Sequence, residues 1–290
     1  MKFRKLQILL IILGLGFVIS TFHSCSSDKN DLVKITILYT NDTHSRIDPF
    51  PPNDVESPNI GGFARRAALI KKIRKQEKNV LLFDAGDIFQ GTLYFNLFKG
   101  EPELKLMSEM KYDAATIGNH EFDNGVEEFS KQLENANFPF ISSNYDFSKT
   151  ILKDKILPYK VFEIENIKIG VFGLGINPDG LINKNKFGKT IYNDALEKAK
   201  EISSFLKEDL NCDLVICLSH LGYQHKNKQC GDICIAKNTK YINLIIGGHT
   251  HTFLEEPTRL NNQDNTETLI VQCGYGGIML GKLDYCFKTK

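Results

Sequence analysis

The sequence predicts a single mixed α/β domain, and three observations carry the prediction. Short apolar runs alternate with longer amphipathic stretches over most of the chain. No fixed internal period and no low-complexity linker follows Asp31. The 290 residues are 42% hydrophobic and 24% charged, ample core for one large domain.

The elements follow in order. Residues 34–39 form a strand around Ile35-Thr36-Ile37-Leu38. A loop with Pro49, Pro51, Pro52 and Pro58 leads to Gly61-Gly62. Residues 63–76 place Ala64, Ala67, Ala68, Ile70 and Ile73 at helical spacing, with Arg and Lys opposite. Further strands are expected at 80–83, 114–117, 138–142, 214–218, 242–246, 269–273 and 280–287, and helices at 101–110, 125–135 and 194–209. Residues 159–165 and 167–174 read as a hairpin turning at Glu165-Asn166.

The first residues read as an export signal. Lys2, Arg4 and Lys5 precede an apolar segment, 8–19, that is shorter than the ~20 residues needed to span a bilayer. Ser24-Cys25 resembles the end of a bacterial lipobox, although Phe22 stands where a Leu-like residue is usual. The expectation is a signal peptide over 1–24, lipidation at Cys25, and a solvated tether over 25–32. The chain would then be exported and held by its lipid on the cell envelope, at the outer membrane, on the periplasmic or the surface side. Without Lys2, Arg4 and Lys5 the charge is 33 basic against 35 acidic residues, which argues against a nucleic-acid polymer as partner. Six further cysteines, at 212, 217, 230, 234, 273 and 286, suit buried thiols or one disulfide, with the pairing open.

Five apolar runs end in polar loops: at Asp42 and His44, at Asp87, at Asn119 and His120, at His220, and at His249 and His251. Such loops converge on one edge of a sheet. Of seven histidines, His23 lies in the signal and His225 in a polar loop; the other five all follow apolar strands. Imidazoles, carboxylates and an amide, with no thiolate at a strand end, suit two divalent ions such as Zn, Mn, Fe or Co. A bridging carboxylate holds such ions about 3.5–4 Å apart, where they activate water and grip a phosphoryl oxygen. Asp42-x-His44 and His249-x-His251 each put two side chains on one side of an extended segment. The glycines before His249 allow a tight turn. Read alone, Gly118-Asn119-His120-Glu121-Phe122-Asp123 is equally a polar turn that caps the next helix through Asp123 or Asn124.

Taken together, Thr40-Asn41-Asp42-Thr43-His44, Asp84-Ala85-Gly86-Asp87, Gly118-Asn119-His120-Glu121-Phe122-Asp123, Ser219-His220-Leu221-Gly222 and Gly247-Gly248-His249-Thr250-His251 resemble the five signatures of the calcineurin-like metallophosphoesterases. Within that superfamily they are similar to the 5'-nucleotidase / UDP-sugar hydrolase branch, from about residue 33 to the C-terminus. The resemblance implies two mixed β-sheets packed as a sandwich with flanking helices (αββα). It implies that Asp42, His44, Asp87 and His251 bind one metal, and that Asp87, Asn119, His220 and His249 bind the other, with Asp87 bridging. It makes His120 and Asp123 a catalytic dyad rather than ligands. The implied reaction is hydrolysis of phosphate esters, 5'-nucleotides first, by in-line attack of a metal-held hydroxide; a UDP-sugar or cyclic-nucleotide diesterase would use the same centre.

Three neighbours read as structural: Asp84 as a turn-stabilising carboxylate, Arg65 as a solvated helix residue, and Glu121 as a surface or capping carboxylate. Two departures from the family pattern stand out. Ser45 replaces a common Gly, and the chain stops just after Gly281-Lys282-Leu283-Asp284-Tyr285-Cys286-Phe287, where relatives continue into a domain that grips the nucleobase and phosphates. The expected organisation is a catalytic domain over 33–290 with the C-terminal specificity domain absent. The chain then acts alone on loosely selected esters. The alternative is a weakly active subunit that needs a partner chain supplying that domain.

Overall fold

The computed structural model describes residues 20–21, 32–226 and 229–288. The expected signal peptide, Ser20–Thr21 apart, and the tether with Cys25 up to residue 31 lie outside the described residues. Among the described residues no helix is long and apolar enough to cross a membrane.

Two mixed sheets form the body. In the first, β1 (Leu32–Thr40), β2 (Val80–Asp84), β3 (Ala114–Thr116), β4 (Phe140–Ile141) and β5 (Ile156–Leu157) run parallel in that order. The closing strand Gly281–Lys288 pairs antiparallel with β1, and Ser20–Thr21 lies parallel beside it. The second sheet comprises β6 (Tyr159–Ile164), β7 (Ile167–Gly175), β8 (Leu214–His220), β9 (Leu244–Gly247), β10 (Thr258–Asn261) and β11 (Glu267–Val271). Its spatial order is β10-β11-β9-β8-β7-β6, with the inner four parallel and both edges antiparallel. The β6–β7 hairpin turns at Glu165 (φ 49°) and Asn166 (φ 68°), the left-handed pair of a type I′ turn.

Alternation along each strand builds three layers of core. Ile35, Ile37, Leu81, Phe83, Val171, Ile216, Leu218, Leu244 and Ile246 fill the space between the sheets. Leu38, Leu82, Ala115 and Phe140 face the other way, under α1 (Phe63–Gln76), α2 (Leu93–Phe98), α3 (Glu101–Glu109) and α4 (Val126–Gln132). Phe172, Val215, Cys217, Ile245 and Ile270 do the same under α5 (Ala195–Ser204) and α6 (Asp232–Asn238). Strands covered on both faces must be apolar throughout, which is why they read as unbroken apolar runs. A fully buried Ile37 or Phe83 contributes roughly 1.5–3 kcal/mol.

The αββα sandwich agrees with expectation; some local elements do not. Helix α2 has no polar face, exposing Leu93, Leu97 and Phe98, so periodicity could not find it. Thr92 Oγ1 caps it by accepting from Tyr94 N. Helix α6 begins inside a loop closed by a Cys230–Cys234 disulfide. Cys212, Cys217 and Cys273 are free and buried. The helix expected over 194–209 is α-helical only to Ser204 and ends in a π turn, Phe205–Asp209.

Candidate metal centre

The carboxyl ends of β1, β2 and β3 in one sheet and of β8 and β9 in the other open onto a common rim. Their loops are tied together there. Asp42, His44 and Ser45 donate backbone N–H to the carbonyls of Gly86, Asp87 and Ile88, at 2.9, 3.1 and 2.8 Å. His249 N donates to both carboxylate oxygens of Asp42, each at 3.0 Å.

The loop backbone departs from the expected extended segments. Asp42, His44, Asp87, His249 and His251 have φ of 48°, 47°, 54°, 70° and 52°, so five of the seven expected ligands sit in the left-handed region. Each such residue is strained by roughly 1–3 kcal/mol, a burden that clusters at functional sites. The paired side chains therefore converge through tight turns, not through strand alternation. Ser45 (φ 50°) continues the run, which explains why Gly suits that position. Gly248 serves close approach rather than the turn. A Cβ there would lie 2.8 Å from Ala85 O, 2.9 Å from His220 Nδ1 and 3.1 Å from Asp42 Oδ2.

Three clusters of ligand atoms result, each within 4.8 Å: Asp42, His44 and His251; His44, Asp87 and His120; Asp87, His220 and His249. His44 Nε2 faces His251 Nε2 at 2.9 Å, and Asp42 Oδ1 lies 3.3 Å from His251 Nε2. His220 Nδ1 donates to Ala85 O at 2.7 Å, which leaves Nε2 pointing at Asp87 Oδ2, 3.1 Å away but without hydrogen-bond alignment. That fully buried, unaligned nitrogen beside a carboxylate is a donor pair suited to a cation. Asn119 Oδ1 lies 2.9 Å from His249 Nδ1. These His and Asp groups fit a dinuclear metal site, with Asp87 common to two clusters.

The electrostatics agree. Burial alone would raise Asp87, but His220 beside it overrides that and holds the carboxylate well below its usual range. Burial opposes a charge on His220, yet Asp87 raises it to about 10, so the pocket favours positive charge at this position. Burial and the charge of His220 push His249 down to about 4, which favours the neutral imidazole that a metal ligand requires. His120 stands nearer the mouth, with its side chain 30% exposed. Its Nδ1 lies 2.8 Å from Asp123 Oδ2. Burial opposes its charge, but the Asp123 hydrogen bond and the field of Asp87 together raise its pKa above the usual value.

Asp123 does not cap α4: Gly125 holds that N-cap, and the Asp123 carboxylate is spent on His120. Asp84 stabilises its turn as expected, accepting from Gly86 N at 2.9 Å and Thr40 Oγ1 at 2.6 Å. Arg65 is exposed, also as expected. Glu121 corrects the sequence reading. It is buried, not a surface group, and its carboxylate accepts from the backbone N–H of Gly118, Asp87, Ile88 and Phe89 at 2.6, 3.0, 2.8 and 3.3 Å. It thereby fixes the loop that aims Asp87. Glu121→Gln turns one acceptor into a donor facing those N–H groups. We predict metal affinity about 10–100-fold weaker with the fold intact, measured by chelator competition and circular dichroism.

A cleft of about 390 Å³ opens over these residues, walled also by Arg46, Phe50 and Tyr275. The Tyr275 ring stacks on His251 at 5.2 Å and 20°. None of these three lies inside one of the five motifs, so the sequence reading does not single them out.

Comparison with known proteins agrees with this geometry. A family model described as calcineurin-like phosphoesterase matches residues 35–253. Human 5'-nucleotidase is 35% identical over 279 residues, covering 89% of this chain and 47% of the relative. The 5'-nucleotidase precursor of Thermus thermophilus superposes with a TM-score of 0.80 at 33% identity, covering 89% of this chain and 52% of that one. Calcineurin-like phosphoesterase YfkN from Bacillus subtilis gives 0.71 at 25% identity, covering 89% and 86%. The chain thus spans about half the length of the 5'-nucleotidases it matches.

Proposed function

The chain belongs to the calcineurin-like phosphoesterase family, and from that premise we propose that it hydrolyses phosphate esters, with 5'-nucleotides as its preferred class. The observation that carries the reading is the position of Asp87, buried between two groups of nitrogen and oxygen ligands on one rim. Asp42, His44, Asp87 and His251 would hold one divalent ion, and Asp87, Asn119, His220 and His249 the other. Bound there, the two ions would lower the pKa of water and offset the charge of the phosphoryl group.

The chain's own groups do the rest. Buried Asp42 and Asp87 keep the ligands pre-oriented, so little rearrangement accompanies reaction. His120 belongs geometrically to a ligand cluster, yet its role is different. Its Nδ1 donates to Asp123, and that carboxylate with Asp87 favours the protonated imidazole against the burial that opposes it. Nε2 is then free to offer a proton to the leaving oxygen.

The test is phosphate release by the full chain, stripped of metal and then reloaded with Zn or Mn. AMP, UDP-glucose, a cyclic nucleotide and an aryl phosphate are the substrates. We expect release only after reloading, fastest with AMP. Loaded protein that leaves all four intact would sink the reading. Activity restored only by a chain carrying a nucleotide-specificity domain would favour the subunit alternative.

A further inference from the structure

We propose that Arg46 forms an anion subsite beside the metal centre, one that receives a second phosphoryl group carried by the substrate. The proposal rests on the phosphoesterase reading and adds to it a group that none of the five motifs contains.

Arg46 lies two residues beyond His44, in a turn closed by Arg46 N donating to Thr43 O at 3.0 Å. Its guanidinium carbon sits 4.2 Å above the centre of the Phe50 ring. Phe50 is buried and packs edge-on against Tyr275, so the cation rests on a fixed platform. Among the described residues, Arg46 forms no ion pair. Asp48, the nearest acidic residue that follows it in sequence, accepts instead from Tyr94 Oη at 2.7 Å. A half-buried guanidinium with its donors uncommitted is ready to bind an anion, and its planar fork matches two phosphate oxygens.

Position supplies the second argument. Arg46 lines the cleft over the metal ligands and also an adjoining groove of about 530 Å³. Gln90 and Gly91 are likewise shared by both. Gly91 has φ 115°, and a Cβ there would come within 2.8 Å of His44 O, so the passage past it carries no side chain. A phosphoryl group seated at the metals leaves Arg46 free. A substituent that follows the passage brings its own phosphoryl group to the guanidinium and the Gln90 amide. Substrates with two phosphoryl groups therefore gain a contact that simple monoesters lack.

The experiment uses two non-hydrolysable probes, methylphosphonate and methylenediphosphonate, titrated calorimetrically into the metal-loaded full chain. Each variant is compared with wild type on the same probe, so the probe's own affinity for metal cancels. We expect Arg46→Ala to weaken methylenediphosphonate at least tenfold more than methylphosphonate, with Arg46→Lys in between. A purely structural role on Phe50 would weaken both probes equally. Arg46→Gln, which keeps the stem over Phe50, repeats the test should the Ala variant be unstable. Equal weakening of the two probes, or none, overturns the proposal. Because binding is read without turnover, a chain that proved inactive would still decide it.

Discussion

Asp87→Asn should strip the centre of metal and lower phosphate release on the order of 10³-fold or more. Among the described residues, Asp87 is the only carboxylate common to two of the ligand clusters, and it is 2% exposed. An amide keeps the size but loses the charge and one acceptor oxygen. Asp87 Oδ1 also accepts from His120 N at 2.9 Å, and Oδ2 faces His220, so the replacement presents an N–H to one of them. Elemental analysis after dialysis should fall from two ions per chain to at most one. Two ions retained would show that Asp87 is not the bridge. Wild-type binding has a matching pH signature. His220 is protonated below about 10 without metal, and the ion must displace that proton. Apparent affinity should therefore weaken as pH falls, about tenfold per unit while one proton is exchanged.

His120→Ala should have the opposite profile: turnover lower by about 10²–10⁴-fold with both ions still bound. The ring is tied to Asp123, whose side chain is 36% exposed at the mouth, rather than locked among the buried ligands. Asp123→Asn should produce a smaller loss in the same direction, since the imidazole keeps its place but loses the charge that favours its protonated form. Steady-state kinetics paired with metal counts separate the two roles. If His120→Ala loses an ion, His120 is a ligand with His44 and Asp87, as their mutual proximity would then mean.

Much of the architecture is legible in the sequence because doubly covered strands leave unbroken apolar runs, such as 214–218 and 242–246. The loops that carry the candidate ligands are legible because each follows such a run. Other features leave no such trace. The left-handed backbone at Asp42, His44 and His249 has no composition signature, since Asp and His also occur in ordinary turns. Glu121 reads as a capping group because its four N–H partners come from two separate loops that only the fold brings together. Arg46 and Tyr275 meet the site from loops far apart in sequence, with no periodic pattern to announce them. Helix α2, with apolar side chains turned outward, defeats any rule that equates apolar with buried.

The most direct measurement of the central claim is a crystal of the full chain grown with Mn²⁺ and examined by anomalous scattering. Two peaks are expected, one among Asp42, His44, Asp87 and His251, the other among Asp87, Asn119, His220 and His249, with Asp87 touching both. A single peak, or a second peak held by His120 in place of one of those ligands, would contradict the account.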